Sequence, residues 1–177
     1  MRRLLCVLLV VLIQGCTTLQ PERDSQWQWQ LNGRAVFQGP DQRESVSMLW
    51  QSANKRDLIQ LSGPLGQGTV RLIADQNGAA LWKNGEIVAS DQSIEALLYQ
   101  QLQWHVPISS LKHWVRGNVA PSREPLPLII EEGSSSQFIQ HGWRISTSKW
   151  NDQGLPGKVV LERSPYKLTL LISTWKS

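Results

Sequence analysis

Two Asn-Gly dipeptides, Asn77-Gly78 and Asn84-Gly85, each separate short runs of strand-like residues. Asn-Gly suits the positive-φ positions of a two-residue hairpin, so it predicts antiparallel neighbours on either side. Ala79–Lys83 and Glu86–Ala89 are read as one such hairpin. The flanking residues keep the period of a half-buried strand. Val46, Met48 and Trp50 alternate with Ser45 and Ser47, and Val70, Leu72 and Ala74 alternate around Arg71, although Ile73 interrupts the polar face. Further strands are expected at Trp143–Ile145, Lys158–Glu162 and Tyr166–Trp175, where Tyr166, Leu168, Leu170 and Ile172 share a face.

The period changes between these groups. Over Asp91–Gln103, Ile94, Leu97, Leu98 and Leu102 recur at helical spacing, with Asp91 or Ser90 placed to cap the start. Pro107 opens a second short helix whose Leu111, Trp114 and Val115 share a face, and Gly117 ends it. Asn118–Ser136, with three prolines, is the least regular stretch. A sheet of eight or more twisted strands tends to curl. Its concave face then needs cover, and the helical pair is the available lid. The expected fold is mainly β with a few helices: an open antiparallel β-barrel with a helical lid over an apolar cavity. Met48, Trp50, Val70, Leu72, Ile94, Leu98 and Trp114 are the candidate lining residues, with the inward face of each strand left open.

The first residues address the chain. Arg2-Arg3 precede an apolar run from Leu4 to Ile13, which fits a secretory signal and is too short to span a bilayer. Ile13-Gln14-Gly15-Cys16 resembles a bacterial lipobox, in which the cysteine becomes the acylated first residue. Residues 1–15 are therefore expected to be a lipoprotein signal peptide, 16–26 a lipidated N-terminus and short polar tether, and 27–177 one domain. Cys6 would leave with the signal, so Cys16 would be the single cysteine of the mature chain and no disulfide could form. One acyl chain gives only marginal membrane binding. Bacterial lipoproteins resemble one another in carrying three, which anchors them permanently. Thr17 follows the cysteine in place of the Asp that keeps enterobacterial lipoproteins in the inner membrane, which points to the outer one.

Composition narrows the function. The formal net charge is +4, and half of that excess leaves with Arg2 and Arg3. The remaining cations are scattered along the sequence, which argues against nucleic acid as a partner. His105, His113 and His141 have no metal-ligand spacing, and no G-x-S-x-G elbow is present, so neither an enzyme, a metal nor a cofactor is expected. Gly63-Pro64-Leu65-Gly66-Gln67-Gly68 lacks the order of a phosphate loop and runs into a strand, so it is read as a hairpin loop. Leu65 at its tip either folds back onto the core or projects outward. Nine tryptophans stand beside two Phe and two Tyr. They suit a glycan platform, an apolar cavity or interfacial belt, or ordinary core filling.

Several short marks in order give a resemblance: Gly33-Arg34-Ala35, Leu49-Trp50-Gln51, Gly63-Pro64-Leu65-Gly66, Val106-Pro107-Ile108 followed by Leu111, Trp114, Val115 and Gly117, then Leu155-Pro156 and Trp175-Lys176. Together, behind a lipobox, they resemble the LolB family over about Trp27 to Lys176. That resemblance implies a barrel with a helical lid. It also implies a monomeric outer-membrane lipoprotein, lipid-anchored at the periplasmic face. Such a protein accepts lipoproteins from the periplasmic carrier LolA, holds their acyl chains and inserts them into outer-membrane lipid. Leu65 matches the family's protruding apolar insertion residue. Only ten residues separate Cys16 from Trp27, leaving little room for the family's first helix, and Asn118–Gln137 matches poorly. A lipid- or glycan-binding lipoprotein of the same fold without transfer activity is the second reading, and a cell-wall hydrolase the third.

Overall fold

A computed structural model describes residues 27–64, 68–102, 105–122 and 129–177. The first described elements form a meander of six strands: β1 (Trp29–Gln38), β2 (Arg43–Ala53), β3 (Arg56–Ser62), β4 (Val70–Asp75), β5 (Gly78–Lys83) and β6 (Glu86–Asp91). Two helices follow, α1 (Ile94–Leu102) and α2 (Ile108–Trp114). A second meander closes the chain: β7 (Ile130–Glu132), β8 (Ser135–Gln140), β9 (Trp143–Trp150), β10 (Pro156–Arg163) and β11 (Tyr166–Lys176).

Pairing of β1 with β11 joins the meanders into one antiparallel sheet ordered β6-β5-β4-β3-β2-β1-β11-β10-β9-β8-β7. β6 and β7 remain the free edges, so the barrel is open. The β1–β11 seam carries a bulge at Ser173, where Asn32 faces Thr174 and Gly33 faces Ile172. A bulge adds one residue to a strand and resets its alternation. Here it turns Trp175 inward onto Trp29, with ring centroids 5.8 Å apart. Gly33 is the residue this seam requires, because a Cβ there would overlap the Leu171 carbonyl oxygen.

Local chemistry explains most element boundaries. Asn84 and Gly85 have φ of 54° and 87°, the two positive values of a mirror-image hairpin turn. The hairpin at Asn77-Gly78 forms, but with its turn one residue earlier. Gly78 is already paired with Asp75 in β5, leaving Gln76-Asn77 as the turn. The Asn77 N–H donates to Asp75 Oδ1 at 2.7 Å. Gly78 serves a different need, since a Cβ there would lie 2.7 Å from the Asp91 carbonyl oxygen.

The cap of α1 also differs from the expectation. Ser93, not Asp91 or Ser90, accepts the Ala96 N–H on its Oγ at 3.1 Å. Asp91 still belongs to β6, and its carboxylate accepts from the Gln92 N–H and the Gln100 side chain, both at 2.6 Å. α2 begins directly after Pro107 and ends before Gly117, whose φ is 78°. The Trp150 ring packs where a Gly117 side chain would stand. Residues 118–122 and 129–136 contain the three-residue strand β7, the short edge after the helical pair, and the first two residues of β8.

The helices cover the inner face of the sheet. α1 packs on β4, β5 and β6. Leu97, Leu98, Leu111, Trp114 and Val115 are all buried beneath or between the helices. Between these irregularities inward positions follow strand parity: Leu31, Ala35 and Phe37 in β1, Met48, Trp50 and Ser52 in β2, Ile145 and Thr147 in β9, Val159 and Leu161 in β10, and Leu168 and Leu170 in β11.

Candidate functional site: an apolar cavity under the lid

Between sheet and lid lies a cavity of about 290 Å³. Its walls are Ala35 and Phe37 from β1, Val46, Met48 and Trp50 from β2, Ile59 and Leu61 from β3, Val70 and Leu72 from β4, and Leu168 and Leu170 from β11. Leu98 of α1, Val106 before α2, and Ile108 and Leu111 of α2 form the roof. Glu44, Gly63 and Gly68 complete the lining. Both Glu44 and Gly68 are exposed, which places the mouth at the end of the sheet where β1 turns into β2 and β3 into β4.

The chemistry inside is apolar. Among the described residues Glu44 is the one ionisable lining residue, and it stands at the mouth. Among them, too, Trp50 is the one lining side chain with an N–H, which is spent on Asp57 Oδ1 at 3.2 Å. Such a surface binds by removing apolar area from water, at roughly 25 cal/mol per Å², with little hydrogen-bond selectivity. Two larger grooves beside Ile73 and Trp82 lie on the outer surface of β3–β6 and include Arg56, Arg71, Asp75 and Asp91. Their linings mix charged with apolar side chains.

Two polar contacts fasten the roof. Asp57 accepts the Trp50 indole N–H on one oxygen, and Lys112 of α2 reaches the other at 3.5 Å. Gln140 of β8, 4% exposed, holds the far end of α2. Its Oε1 accepts the Trp114 indole N–H at 2.7 Å and the Ala120 N–H at 2.9 Å, and its Nε2 donates to the Ala120 carbonyl at 2.8 Å. A buried amide with its groups paired in this way fixes the segment after the helix, because an unpaired polar group there would be costly. His113, also on α2, titrates below the ordinary imidazole value, through burial first and then the neighbouring charges of Lys112 and Arg116.

Among the residues proposed from sequence, Met48, Trp50, Val70, Leu72 and Leu98 lie on the cavity wall. Ile94 and Trp114 do not. Both are buried, but Ile94 opens α1, the helix that packs on β4–β6, and Trp114 sits in the last turn of α2, where its N–H is drawn to Gln140. Helical spacing gave the buried face of each helix, not the stretch of sheet beneath it. The wall residues of β1, β3 and β11 were not proposed, and strand parity combined with register would have found them. Cys16 and Leu65 lie outside the described residues; Pro64 and Gly68, which bracket 65–67, stand beside or on the cavity rim. The histidines occupy three separate places: His105 stacks on Tyr99 with centroids 4.4 Å apart, His113 is on α2, and His141 is in the β8–β9 turn.

The model of the family described as outer membrane lipoprotein LolB matches residues 27–175. The chain belongs to the LolB family. Among its LolB relatives, the outer-membrane lipoprotein LolB of Cellvibrio japonicus is 31% identical over 99% of this chain and 98% of its own. That of Thiobacillus denitrificans is 28% identical over 100% and 99%. That of Pseudomonas paraeruginosa is 32% identical over 84% and 74%. A crystal structure of a LolA superfamily protein from Nitrosomonas europaea shares the fold at a TM-score of 0.52 and 12% identity, covering 87% of each chain. The LolB fold here is thus an open antiparallel sheet around a lidded apolar cavity, as the sequence led us to expect.

Proposed function

We propose that this protein is an outer-membrane lipoprotein receptor that takes lipoproteins from a LolA-like periplasmic carrier and passes them into the outer membrane. The observation that carries this reading is an almost wholly apolar cavity beneath a helical roof in a chain of the LolB family. Its work is binding and transfer, not catalysis. The acyl chains of the client are the ligand, and transfer runs downhill in affinity from carrier to cavity to bilayer. At about 290 Å³ the cavity sits at the lower edge of the roughly 300–1,000 Å³ of small-molecule sites. Three acyl chains need more room, so the helical roof must lift off Asp57 as they enter.

Cys16 supplies the anchor in this reading, and mass spectrometry of the mature protein tests it: a chain starting at Cys16 with acyl mass is expected, and one starting elsewhere or without lipid refutes it. Leu65, between Pro64 and Gly66 in the connection from β3 to β4, is the insertion residue in this reading. Burying one leucine in the bilayer interface gains about 1.5–3 kcal/mol at most, enough to disturb lipid packing at the mouth but not to anchor a protein. The deciding assay has two steps, uptake of a lipoprotein from loaded carrier and its recovery in liposomes. Wild type performs both, whereas Leu65→Glu keeps uptake and loses delivery. Absence of uptake by the wild type overturns the receptor reading, and normal delivery by Leu65→Glu removes Leu65 from it.

A further inference from the structure

The cations that look scattered along the sequence are gathered by the fold. On β2, β1, β11, β10, β9 and β8, six adjacent strands, outward positions carry Arg34, Arg43, Arg144, Lys158, Lys167 and Lys176. Those strands contain two carboxylates. Glu44 lines the cavity, and Glu162 is already paired with Lys167 at 2.7 Å. Strand register sets the pattern: Ile139, Arg144, Glu162, Lys167, Gln38 and Arg43 form one continuous outward row. On β3–β6 the two signs mix, with Asp57, Asp75, Glu86 and Asp91 against Arg56, Arg71 and Lys83, and Glu131 and Glu132 stand on β7, the edge strand beside β8. The cationic excess therefore belongs to the outer face of β1, β2 and β9–β11.

We propose that the outer face of β1, β2 and β8–β11 docks on the anionic phospholipid headgroups of a membrane. At about 4.8 Å per strand the face is about 24 Å wide, a broad surface without a deep pocket, suited to many weak contacts rather than one ligand. Between the cations stand Ser45, Val160 and Thr169, with Leu171 and Ile139 exposed at 38% and 58%. Exposed apolar side chains among cations match a headgroup region, where phosphates meet the first methylenes. The outward row from Ile139 to Arg43 runs along the end of the sheet that bears the cavity mouth, so docking brings the mouth to the lipid. This surface rests on the membrane-delivery reading above, but docking itself is read without a client.

The lipidated protein, reconstituted in vesicles, carries a fluorophore at Thr169→Cys on this face or at Gln76→Cys in the β4–β5 turn, with Cys16 blocked by its acyl chain. Lipids quenching at headgroup level report approach. With phosphatidylethanolamine and phosphatidylglycerol at about 3:1 the Thr169 label is quenched and the Gln76 label is not; in phosphatidylethanolamine alone neither is, and salt reverses the effect. Each cation at such a surface strengthens adsorption about fivefold, so Arg34→Gln, Arg144→Gln and Lys158→Gln together lower the docked-to-undocked ratio about a hundredfold. Equal quenching with and without phosphatidylglycerol overturns the proposal. So does a triple variant that docks normally but loses uptake from the carrier, which would assign the face to an acidic protein. Loss of docking with uptake retained supports it and leaves the receptor reading untouched.

Discussion

Gln140 is the residue whose loss should cost this fold most for its size. Gln140→Ala removes both accepted bonds and the donated one, stranding the Trp114 indole N–H and the Ala120 N–H and carbonyl. Gln140, Trp114 and Ala120 are 4%, 0% and 3% exposed, so water does not simply replace the amide. Each stranded buried group costs about 1–3 kcal/mol. Taking the low end for all three, because the truncated side chain leaves some space for solvent, gives about 3–4 kcal/mol. That is a large share of the ~5–15 kcal/mol by which a domain is stable. Urea unfolding followed by tryptophan fluorescence reads it out: with a slope of ~1–3 kcal/mol per M, the midpoint should fall by about 2 M. Gln140→Glu is the control. It keeps the shape but brings a carboxylate into a site with almost no water, facing the Ala120 carbonyl, so it should lose at least as much as the Ala variant near neutral pH and recover as the carboxyl protonates and can donate. A midpoint within about 0.3 M of wild type for Gln140→Ala would show that the lid is not held in this way.

Two further outcomes follow from the site and the lid. Val70 lines the cavity but is only half-buried, so Val70→Glu should fold and yet bind an acylated peptide more than tenfold more weakly, since an acyl chain covering the carboxylate strips its water; unchanged affinity would place the chain elsewhere. His113 titrates below 6.5 in the folded protein, so the unfolded chain takes up its proton first as pH falls. Its contribution is complete above about pH 6.5 and declines as pH drops through the folded value, and His113→Gln should flatten the urea midpoint over that window; an identical pH profile for the variant would refute the assignment.

The local parts were legible in the sequence. The turn at Asn84-Gly85, the strand alternation around Met48 and Trp50, the helical pair on either side of Pro107 and the mainly β, lidded architecture all follow from rules that act within a few residues. Even so, the cap of α1 went to Ser93, because Asp91 is still engaged in β6, and the first hairpin turned at Gln76-Asn77, because Gly78 was needed beside Asp91. Which side chains share a space depends instead on how distant strands come together. Phe37, Leu61 and Leu170 face one cavity, while Trp114, with an equally apolar helical neighbourhood, does not, because its N–H is satisfied across the barrel at Gln140. The basic outer face arises in the same way. Arg34 and Lys158 are far apart in the chain, and they come onto one surface only when β1 pairs with β11 and the Ser173 bulge sets the register. Alternation fixes which residues of a strand point together, but it carries no information about which distant strand lies alongside. That choice is made by closure of the sheet around the core, and both the cavity and the charged face are consequences of it.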